Sequence, residues 1–419
     1  MPISLQDAQA TESKLMLNTY ARYPLLLTRG EGVHLYDADD NEYLDLLSGI
    51  GVCALGYNHP AITAAITEQA KTLVHTSNLF YHPHTAELAL RLTEITGLDR
   101  VFLTNSGTEA WEAALKLARA HAAQLRTQGN AKRVGTKFLA LEYSFHGRTM
   151  GSVATTHKAA YREPFQPVMP DVEFIPFNNV AALKAAFSTD VCGICIEVLQ
   201  GEGGINPVSA EFLRIARALC DSTGALLLFD EIQSGMGRTG KWCAYQHYDV
   251  MPDITTLAKP IAGGIPMGAM LATEEAARAF TPGMHGTTFG GNPFACAVAI
   301  AAIDTIKRDN LLAHNTELGG YFLAQLRNLA ARHSSIKEAR GVGLMIGLEL
   351  HSADVAKSVH EAMMKTHHIL LNRTHETVLR FLPPYLIMRE HVDQAITALD
   401  TLLTQQLTPE PQTAEATAK

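Results

Sequence analysis

The chain has 419 residues, 47% of them hydrophobic, so it can bury a large core arranged in two or three lobes. Its 34 basic and 42 acidic residues give a formal net charge of −8, which leaves no basic footprint for nucleic acid. No apolar run approaches the roughly 20 residues that a membrane span needs, and the first residues lack the pattern of a signal peptide. Six scattered cysteines indicate reduced thiols, and a cytoplasmic protein is therefore expected.

Short elements are predicted before residue 100. Residues 1–12 show no regular pattern and are expected to be loose. The run VHLYDADDNEYLDLLSG, which begins at Val33, predicts two short strands joined by a polar turn. Pro60 and the apolar residues at positions 62, 66 and 70 predict an amphipathic helix, and a second helix is predicted over residues 85–95.

From residue 100 onwards, apolar runs typical of buried strands alternate with stretches of helical periodicity. Strands are predicted over residues 100–104, 137–142, 172–176, 194–199 and 225–229, with helices between them. This order predicts an α/β protein with a mostly parallel sheet. Cys192 and Cys195 form a CxxC inside the apolar run VCGICIEV, so we interpret them as strand residues and not as a redox pair.

Two of the apolar runs end in an ionisable residue, Asp230 and Lys259. Ligands bind outside the carboxyl ends of the strands in open α/β sheets, so both side chains are expected in one crevice. Burial lowers the pKa of a lysine, and its neutral amine attacks carbonyls, although a strand-end lysine can also simply reach solvent. Pyridoxal phosphate requires this pairing: the lysine binds its aldehyde, and the acid holds its ring nitrogen protonated.

A candidate phosphate site lies earlier in the chain. The residues NSGT, at positions 105–108, lead from a predicted strand into a helix that begins near Glu109. Free backbone N–H groups and the helix dipole face an anion at such a turn. An ordinary capped turn between strand and helix is the alternative interpretation of the same residues.

With these motifs the chain resembles the class III (subgroup II) pyridoxal-phosphate-dependent aminotransferases, most closely the acetylornithine and ornithine aminotransferase branch. The resemblance runs from about Tyr20 to about Leu403, and its motifs occur in family order: NSGTEA, FHGRT, QGEGG, DEIQSGMGRTG, LAKPIAGGIPMGA and HGTTFGGNP. It implies the fold-type-I architecture, an α/β fold with a mostly parallel central sheet in a large domain and a smaller α+β domain built from both chain ends.

The resemblance also implies domain boundaries. Residues 1–76 would form an N-terminal arm and part of the small domain, and residues 77–315 the large cofactor-binding domain. Residues 316–407 would complete the small domain, and residues 408–419, rich in Pro, Thr and Ala, are predicted to be a disordered tail.

The cofactor implied by the resemblance is pyridoxal 5'-phosphate, with Lys259 and Asp230 as the catalytic residues. Phe145 and Ile232 would enclose the cofactor ring, and Gln233 would bond its hydroxyl group. Gly107 and Thr108 would bind its phosphate. Thr288 would bind the phosphate of a neighbouring subunit, which implies a homodimer with shared active sites. No metal site, nucleic acid or membrane partner is implied.

Substrate contacts are implied for Tyr20, Arg148, Glu202, Thr287 and Arg380. Arg148 offers a planar fork that matches a carboxylate. Within the family these residues fit N-acetylornithine as amino donor and 2-oxoglutarate as acceptor, as in arginine biosynthesis. Succinylornithine, ornithine, 4-aminobutyrate and carrier-bound lysine remain open as alternative donors. Glu202 is expected to pair with Arg380 for one substrate and to swing away for the other, with a permanent structural ion pair as the alternative.

Three positions depart from the family pattern: Trp111, where relatives usually carry asparagine, Val198, where they carry proline, and Pro260, directly after the lysine. His146 could be a catalytic base, but we expect a structural role because Lys259 itself can move the proton. An aminomutase would use the same cofactor residues. A non-catalytic cofactor-binding module would lack the lysine, the aspartate or the arginine, and all three are present.

Overall fold

The structure is a computed structural model that describes residues 3–128 and 135–406. The helices of these ranges are, in chain order, α1 (Leu5–Leu15), α2 (Ser48–Gly51), α3 (Pro60–Ala70), α4 (Pro83–Thr96), α5 (Gly107–Thr127), α6 (Met150–Ala154), α7 (Ala159–Arg162), α8 (Val180–Ala186), α9 (Ala210–Thr223), α10 (Glu274–Ala277), α11 (Pro293–Arg308), α12 (Leu311–Arg332), α13 (Ala353–Lys365) and α14 (Arg389–Gln406).

The strands of the same ranges are β1 (Leu27–Glu31), β2 (His34–Asp37), β3 (Glu42–Asp45), β4 (Arg100–Thr104), β5 (Lys137–Leu141), β6 (Val172–Ile175), β7 (Val191–Ile196), β8 (Leu199–Gln200), β9 (Asn206–Pro207), β10 (Leu226–Asp230), β11 (Ile254–Leu257), β12 (Gly268–Ala272), β13 (Ile336–Val342), β14 (Met345–Leu350), β15 (Ile369–Leu370), β16 (Asn372–Thr374) and β17 (Val378–Phe381).

The central sheet has seven strands in the order β4-β12-β11-β10-β7-β5-β6. Only β12 runs against the others, because it pairs antiparallel with both β11 and β4. The remaining pairs are parallel, so the predicted mostly parallel sheet is confirmed. In the centre, Leu228 pairs with Ile254 and Asp230 with Thr256, which brings the carboxyl ends of β10 and β11 to one edge.

Both faces of this sheet are buried, as the packing of strand β10 illustrates. Leu227 and Phe229 pack with α4 and α9 in one hydrophobic cluster, whereas Leu226 and Leu228 pack with α5 in another. Alternate residues of a strand point to opposite faces, so a strand covered on both sides must be apolar throughout. All five residues of β10 are buried, including the terminal Asp230.

The smaller region combines both ends of the chain. Strand β3 pairs in parallel with β15, so residues near 44 lie beside residues near 369 in one sheet. A second sheet, β13-β14-β17-β16, packs with α12, α13 and α14 in a shared hydrophobic core. This arrangement confirms the predicted α+β domain from both chain ends. The exact domain boundaries stay predictions, and the expected tail at 408–419 lies outside the described residues.

Three local expectations were wrong. Residues 5–15 form a helix capped by Ser4, which accepts a hydrogen bond from the Asp7 amide at 3.0 Å. None of its residues is buried, so it carries no apolar periodicity to be detected. The apolar run GVGLMIGLEL predicts a single strand, but it contains a turn at Gly343, which has φ +56°, and it therefore belongs to two antiparallel strands. Helix α11 was not predicted, because its residues are apolar on most sides.

Candidate active site

A cavity of about 370 Å³ opens at the carboxyl ends of β10 and β11. Its volume is in the range of small-molecule sites. Its wall includes all seven residues that the sequence assigns to the cofactor within one chain: Gly107, Thr108, Phe145, Asp230, Ile232, Gln233 and Lys259. The fold therefore brings together residues that are as far apart in the sequence as positions 107 and 259.

Lys259 follows β11 after a single residue and begins a short 3₁₀ turn. Its φ of 37° lies in the left-handed region, which is uncommon for a residue with a side chain and is found at functional sites. Burial is the main reason that the pKa of Lys259 is lowered. The carboxylates of Glu202 and Asp230 oppose this shift, and the Arg380 guanidinium adds to it. A lowered pKa increases the share of the neutral, nucleophilic amine.

Asp230 is the last residue of β10, and both of its oxygens accept hydrogen bonds. The Ile232 amide donates to Oδ1 at 3.0 Å, and His146 Nδ1 lies 2.7 Å from Oδ2. The Asp230 side chain is 4% exposed and the His146 side chain is fully buried. Two hydrogen bonds to one carboxylate fix the direction of the side chain. His146 thus contacts the aspartate, in keeping with the structural role expected for it.

Sequence reasoning missed Glu197, a buried carboxyl one residue beyond β7 that also lines the cavity. It accepts hydrogen bonds from the amides of Phe145 at 2.8 Å and Gly201 at 3.0 Å. Burial raises the pKa of Glu197 to about 7, with His146 opposing the shift and Asp230 adding to it. An apolar strand followed by a carboxylate was the signal used for Asp230, and it would have found Glu197 as well.

The amino end of α5 faces the same cavity. Ser106 caps the helix by accepting from the Glu109 amide at 3.3 Å, which leaves Gly107 and Thr108 in its first turn. A Cβ at Gly107 would lie 2.9 Å from Ile232, so only glycine lets these two segments meet. Free N–H groups and the positive end of a helix dipole form an anion site.

The side chain of Thr108 is held in place beside this helix end. Its Oγ1 lies 2.9 Å from Thr149 Oγ1 and donates to Ser152 Oγ at 2.8 Å. A Cβ at Gly147 would approach Thr108 Oγ1 to 2.6 Å, so the loop needs glycine there to pass so closely. These hydroxyls add polar groups to the anion site.

Gln233 is positioned by two neighbours. A Cβ at Gly201 would lie 2.4 Å from Gln233 Oε1, so the glycine leaves room for the amide. Arg380 Nη1 donates to the same oxygen at 3.1 Å. The Arg380 contact occupies the amide oxygen, and Gln233 also lines the cavity.

Arg380 is fully buried and paired. Its Nη1 lies 2.6 Å from Glu202 Oε1, and its Nε donates to Asn372 Oδ1 at 3.0 Å. Burial raises the pKa of Glu202, but the Arg380 guanidinium outweighs it and the net shift is downward. Removing one partner of such a pair leaves a buried charge uncompensated, at a cost of about 3–5 kcal/mol.

A second cavity, of about 630 Å³, adjoins the first through Phe145, which lines both. Glu202 lies in its wall, and so does Tyr161. The Arg148 guanidinium sits 3.5 Å from the centre of the Tyr161 ring, a cation–π contact that holds the planar fork beside this space. The two cavities together offer room for a cofactor and for a substrate next to it.

Five predicted residues line neither cavity: Tyr20, Arg148, Thr287, Thr288 and Arg380. Arg148 and Arg380 nevertheless contact residues that do, Tyr161 and Glu202. Tyr20 is 73% exposed, and its recorded ring contact is with Arg22, so the expected meeting of Tyr20 and Arg148 does not occur within one described chain. Thr288 is exposed on the loop before α11. Thr287 lies beside the site and accepts a hydrogen bond from Asn105 Nδ2 at 3.1 Å. The roles of these residues, like those of the other predicted site residues, stay predictions.

The donor set of the first cavity fits pyridoxal phosphate. An amine can bind its aldehyde, a buried ionised carboxylate suits its protonated ring nitrogen, and a helix amino end suits its phosphate. Phe145 and Ile232 add apolar surface for the ring. The fold and this set of groups define a fold-type-I pyridoxal-phosphate-dependent enzyme.

Comparison with known proteins identifies the family to which the chain belongs. The family model described as Aminotransferase class-III matches residues 16–403, and the chain belongs to that family. It is 44% identical over 400 residues to the acetylornithine aminotransferase of Methanocaldococcus jannaschii, covering 94% of this chain and 97% of that protein. It is 45% identical over 395 residues to acetylornithine aminotransferase 1 of Bordetella parapertussis, covering 94% and 98%.

Solved structures give the same result. The chain superposes on the ornithine aminotransferase of Toxoplasma gondii ME49 with a TM-score of 0.90 and 33% identity, covering 96% of both chains. It superposes on the acetylornithine aminotransferase of Elizabethkingia anophelis with a TM-score of 0.84 and 31% identity, covering 96% of this chain and all of the other.

Replacing Asp230 tests whether its charge serves the cofactor. Asp230→Asn keeps the shape and the Ile232 contact but removes the negative charge, so turnover should fall about 10²- to 10³-fold, as when one preorganised electrostatic contact is lost. Cofactor affinity should change far less, because the amine and the anion site remain. Steady-state kinetics and cofactor titration measure the two effects.

The matched control is Asp221→Asn, an aspartate on α9 whose side chain is 64% exposed. Turnover at the wild-type level is expected for this variant. If Asp230→Asn also kept near-normal turnover, the assignment of Asp230 would be wrong.

Proposed function

We propose that the chain is a pyridoxal-phosphate-dependent aminotransferase that moves the distal amino group of N-acetylornithine to 2-oxoglutarate. The products are N-acetylglutamate semialdehyde and glutamate, which places the enzyme in arginine biosynthesis. The observation that carries the proposal is the meeting of Lys259 and Asp230 in one cavity beside the buried Arg380–Glu202 pair. Relatives named acetylornithine aminotransferase, 42–45% identical over more than nine-tenths of the chain, support it.

Pyridoxal phosphate, when bound, supplies an electron sink for the carbon that loses its proton. Lys259 Nζ acts as the base and acid that moves this proton between the substrate carbon and the cofactor, which its lowered pKa allows. Asp230 holds the ring nitrogen protonated. Phe145 and Ile232 exclude water from the two faces of the ring, and Gln233 donates to its hydroxyl.

Two unlike substrates must use one site. N-acetylornithine carries one carboxylate far from its reacting amine, and Arg148 beside the second cavity suits that group. Glutamate carries a further carboxylate next to the reacting carbon, and Arg380 suits it. Because Glu202 neutralises Arg380 at 2.6 Å, the site presents no free cation there until Glu202 moves away. This ion pair therefore lets the site accept an amine that lacks the nearby carboxylate.

Other donors fit the same cofactor site. Succinylornithine, ornithine and 4-aminobutyrate differ from N-acetylornithine only at the end far from the reacting amine, and carrier-bound lysine has one more methylene group as well. An aminomutase would need no 2-oxoglutarate, so the stoichiometric use of that acid separates it from a transferase. A non-catalytic cofactor-binding module is disfavoured by the presence of Lys259, Asp230 and Arg148.

Single-turnover half-reactions with a panel of donors test the substrate. N-acetylornithine should have a specificity constant at least about tenfold above those of ornithine and 4-aminobutyrate, equivalent to about 1.4 kcal/mol. The free α-ammonium of ornithine would approach Arg148 and be repelled, and 4-aminobutyrate is too short to reach it. The absorbance of the bound cofactor reports each reaction. A faster reaction with ornithine or 4-aminobutyrate would contradict the assignment.

Glu202→Gln serves as the internal control in the same panel, because it removes only the charge that neutralises Arg380. The glutamate half-reaction should hold or speed up, while the N-acetylornithine half-reaction should slow at least about tenfold. Equal slowing of both would show that Glu202 is structural.

We also propose a cytoplasmic homodimer in which Thr288 reaches the cofactor phosphate of the partner subunit. Thr288 is exposed and adjoins Phe289, which is 61% exposed. The nearby run Leu79–Tyr81 is also exposed, and its neighbour Asn78 bonds the Thr287 carbonyl at 3.0 Å. Exposed apolar residues grouped in this way are typical of an interface between proteins.

Mixed dimers test the shared site. Lys259→Ala chains refolded with Thr288→Asp chains should recover about a quarter of wild-type activity, because half the dimers are mixed and one of their two sites carries neither defect. Each variant alone should be inactive. Chains carrying Lys259→Ala and Asp230→Asn are the matched control, since both defects lie within one chain's own cavity and no recovery is expected. Recovery no greater than in that control would show that each subunit is self-sufficient.

A further inference from the structure

The orientation of Asp230 depends on His146, but one hydrogen bond does not fix an imidazole. His146 Nδ1 lies 2.7 Å from Asp230 Oδ2, whereas Nε2 is buried and has no hydrogen-bond partner among the described residues. The torsion that turns an imidazole ring is broad, so a single contact leaves the ring plane loosely determined. Since Asp230 only accepts hydrogen bonds when it is ionised, Nδ1 must carry the proton that points at it.

Trp111 supplies the missing constraint. Its ring lies on His146 with centroids 4.2 Å apart and planes 7° apart, which is a face-to-face stack. The indole is fully buried, and its Nε1 donates to Thr155 Oγ1 at 3.0 Å. Thr155 Oγ1 in turn donates to the Ser152 carbonyl at 3.0 Å. The indole is therefore fixed at its edge, and its face holds the imidazole.

The helix that carries Trp111 also carries the anion site. Trp111 lies one turn after Gly107 and Thr108 in α5, so the segment that faces the phosphate also packs behind Asp230. Through its stack on His146, Trp111 adjoins the His146–Asp230 pair. Glu197 is the other carboxyl close to this pair, and His146 lowers its pKa while burial raises it.

We propose that Trp111 is a positioning residue for the reaction: it stacks on His146 and thereby holds Asp230 in the direction that keeps the cofactor ring nitrogen protonated. The proposal rests on the function proposed above, because it assumes that pyridoxal phosphate occupies the cavity. The stabilisation that an aromatic pair provides is enough to shift the protonation equilibrium of the cofactor ring nitrogen about two- to tenfold.

Two variants distinguish a role of Trp111 in stacking on His146 from a role in simply filling space in the core. Trp111→Phe keeps a flat ring against His146, whereas Trp111→Leu fills the space without one. In the apoenzyme, the resonance of the His146 Nδ1 proton should persist in Trp111→Phe and should broaden or vanish in Trp111→Leu. In the holoenzyme, the ¹⁵N chemical shift of the labelled cofactor ring nitrogen reports how far that nitrogen is protonated. Its protonation constant should be lowered about two- to tenfold in Trp111→Leu and unchanged in Trp111→Phe.

Thr155→Val provides a second test in case the Trp111→Leu chain does not fold. It removes the acceptor of the indole N–H at nearly constant volume, and the same signals should shift in the same direction by a smaller amount. Wild-type values of both signals in Trp111→Leu, or in Thr155→Val if the leucine variant does not fold, would overturn the proposal. Failure of the proposed function would give a different result: the wild-type chain itself would not bind pyridoxal phosphate through Lys259.

Discussion

The site depends on the parallel pairing of β10 with β11. This register sets Asp230 opposite Thr256, so the strand that ends in the carboxylate and the strand that leads to Lys259 stop at one edge. A slip of one residue would turn every side chain of a strand to the other face. Both strands are buried on both faces, so such a slip would be costly, and the same burial lowers the pKa of the Lys259 amine.

Buried charges recur around the cavity, and each is compensated differently. Asp230 is held by His146, Arg380 by Glu202, and Glu197 by two backbone amides that do not prevent its pKa from rising to about 7. Charges this deep in a protein are retained where chemistry needs them. Only the Arg380–Glu202 pair has a partly exposed member, since the Glu202 side chain is 36% exposed. It is therefore the pair best placed to open.

The sequence predicted those features that depend on local pattern. A helix was predicted between the strands at residues 194–199 and 225–229, where α9 lies, and the strand ends at Asp230 and Lys259 followed from apolar runs that stop at an ionisable residue. Helix α1 has no buried residue, and α11 is apolar on most sides, so neither shows a clear alternation of apolar and polar faces. The stack of Trp111 on His146 joins distant segments, and no pattern within either one indicates it.

The most direct measurement of the central claim is the attachment point of the cofactor. Borohydride reduction of the yellow holoenzyme, followed by peptide mass mapping, should find the reduced pyridoxyl group on Lys259, because this amine has its pKa lowered by burial at the cavity wall. Lys158, which lines the adjoining cavity, is the matched control, and Lys158→Ala should keep the label where it was. A pyridoxyl group on any other lysine would contradict the account.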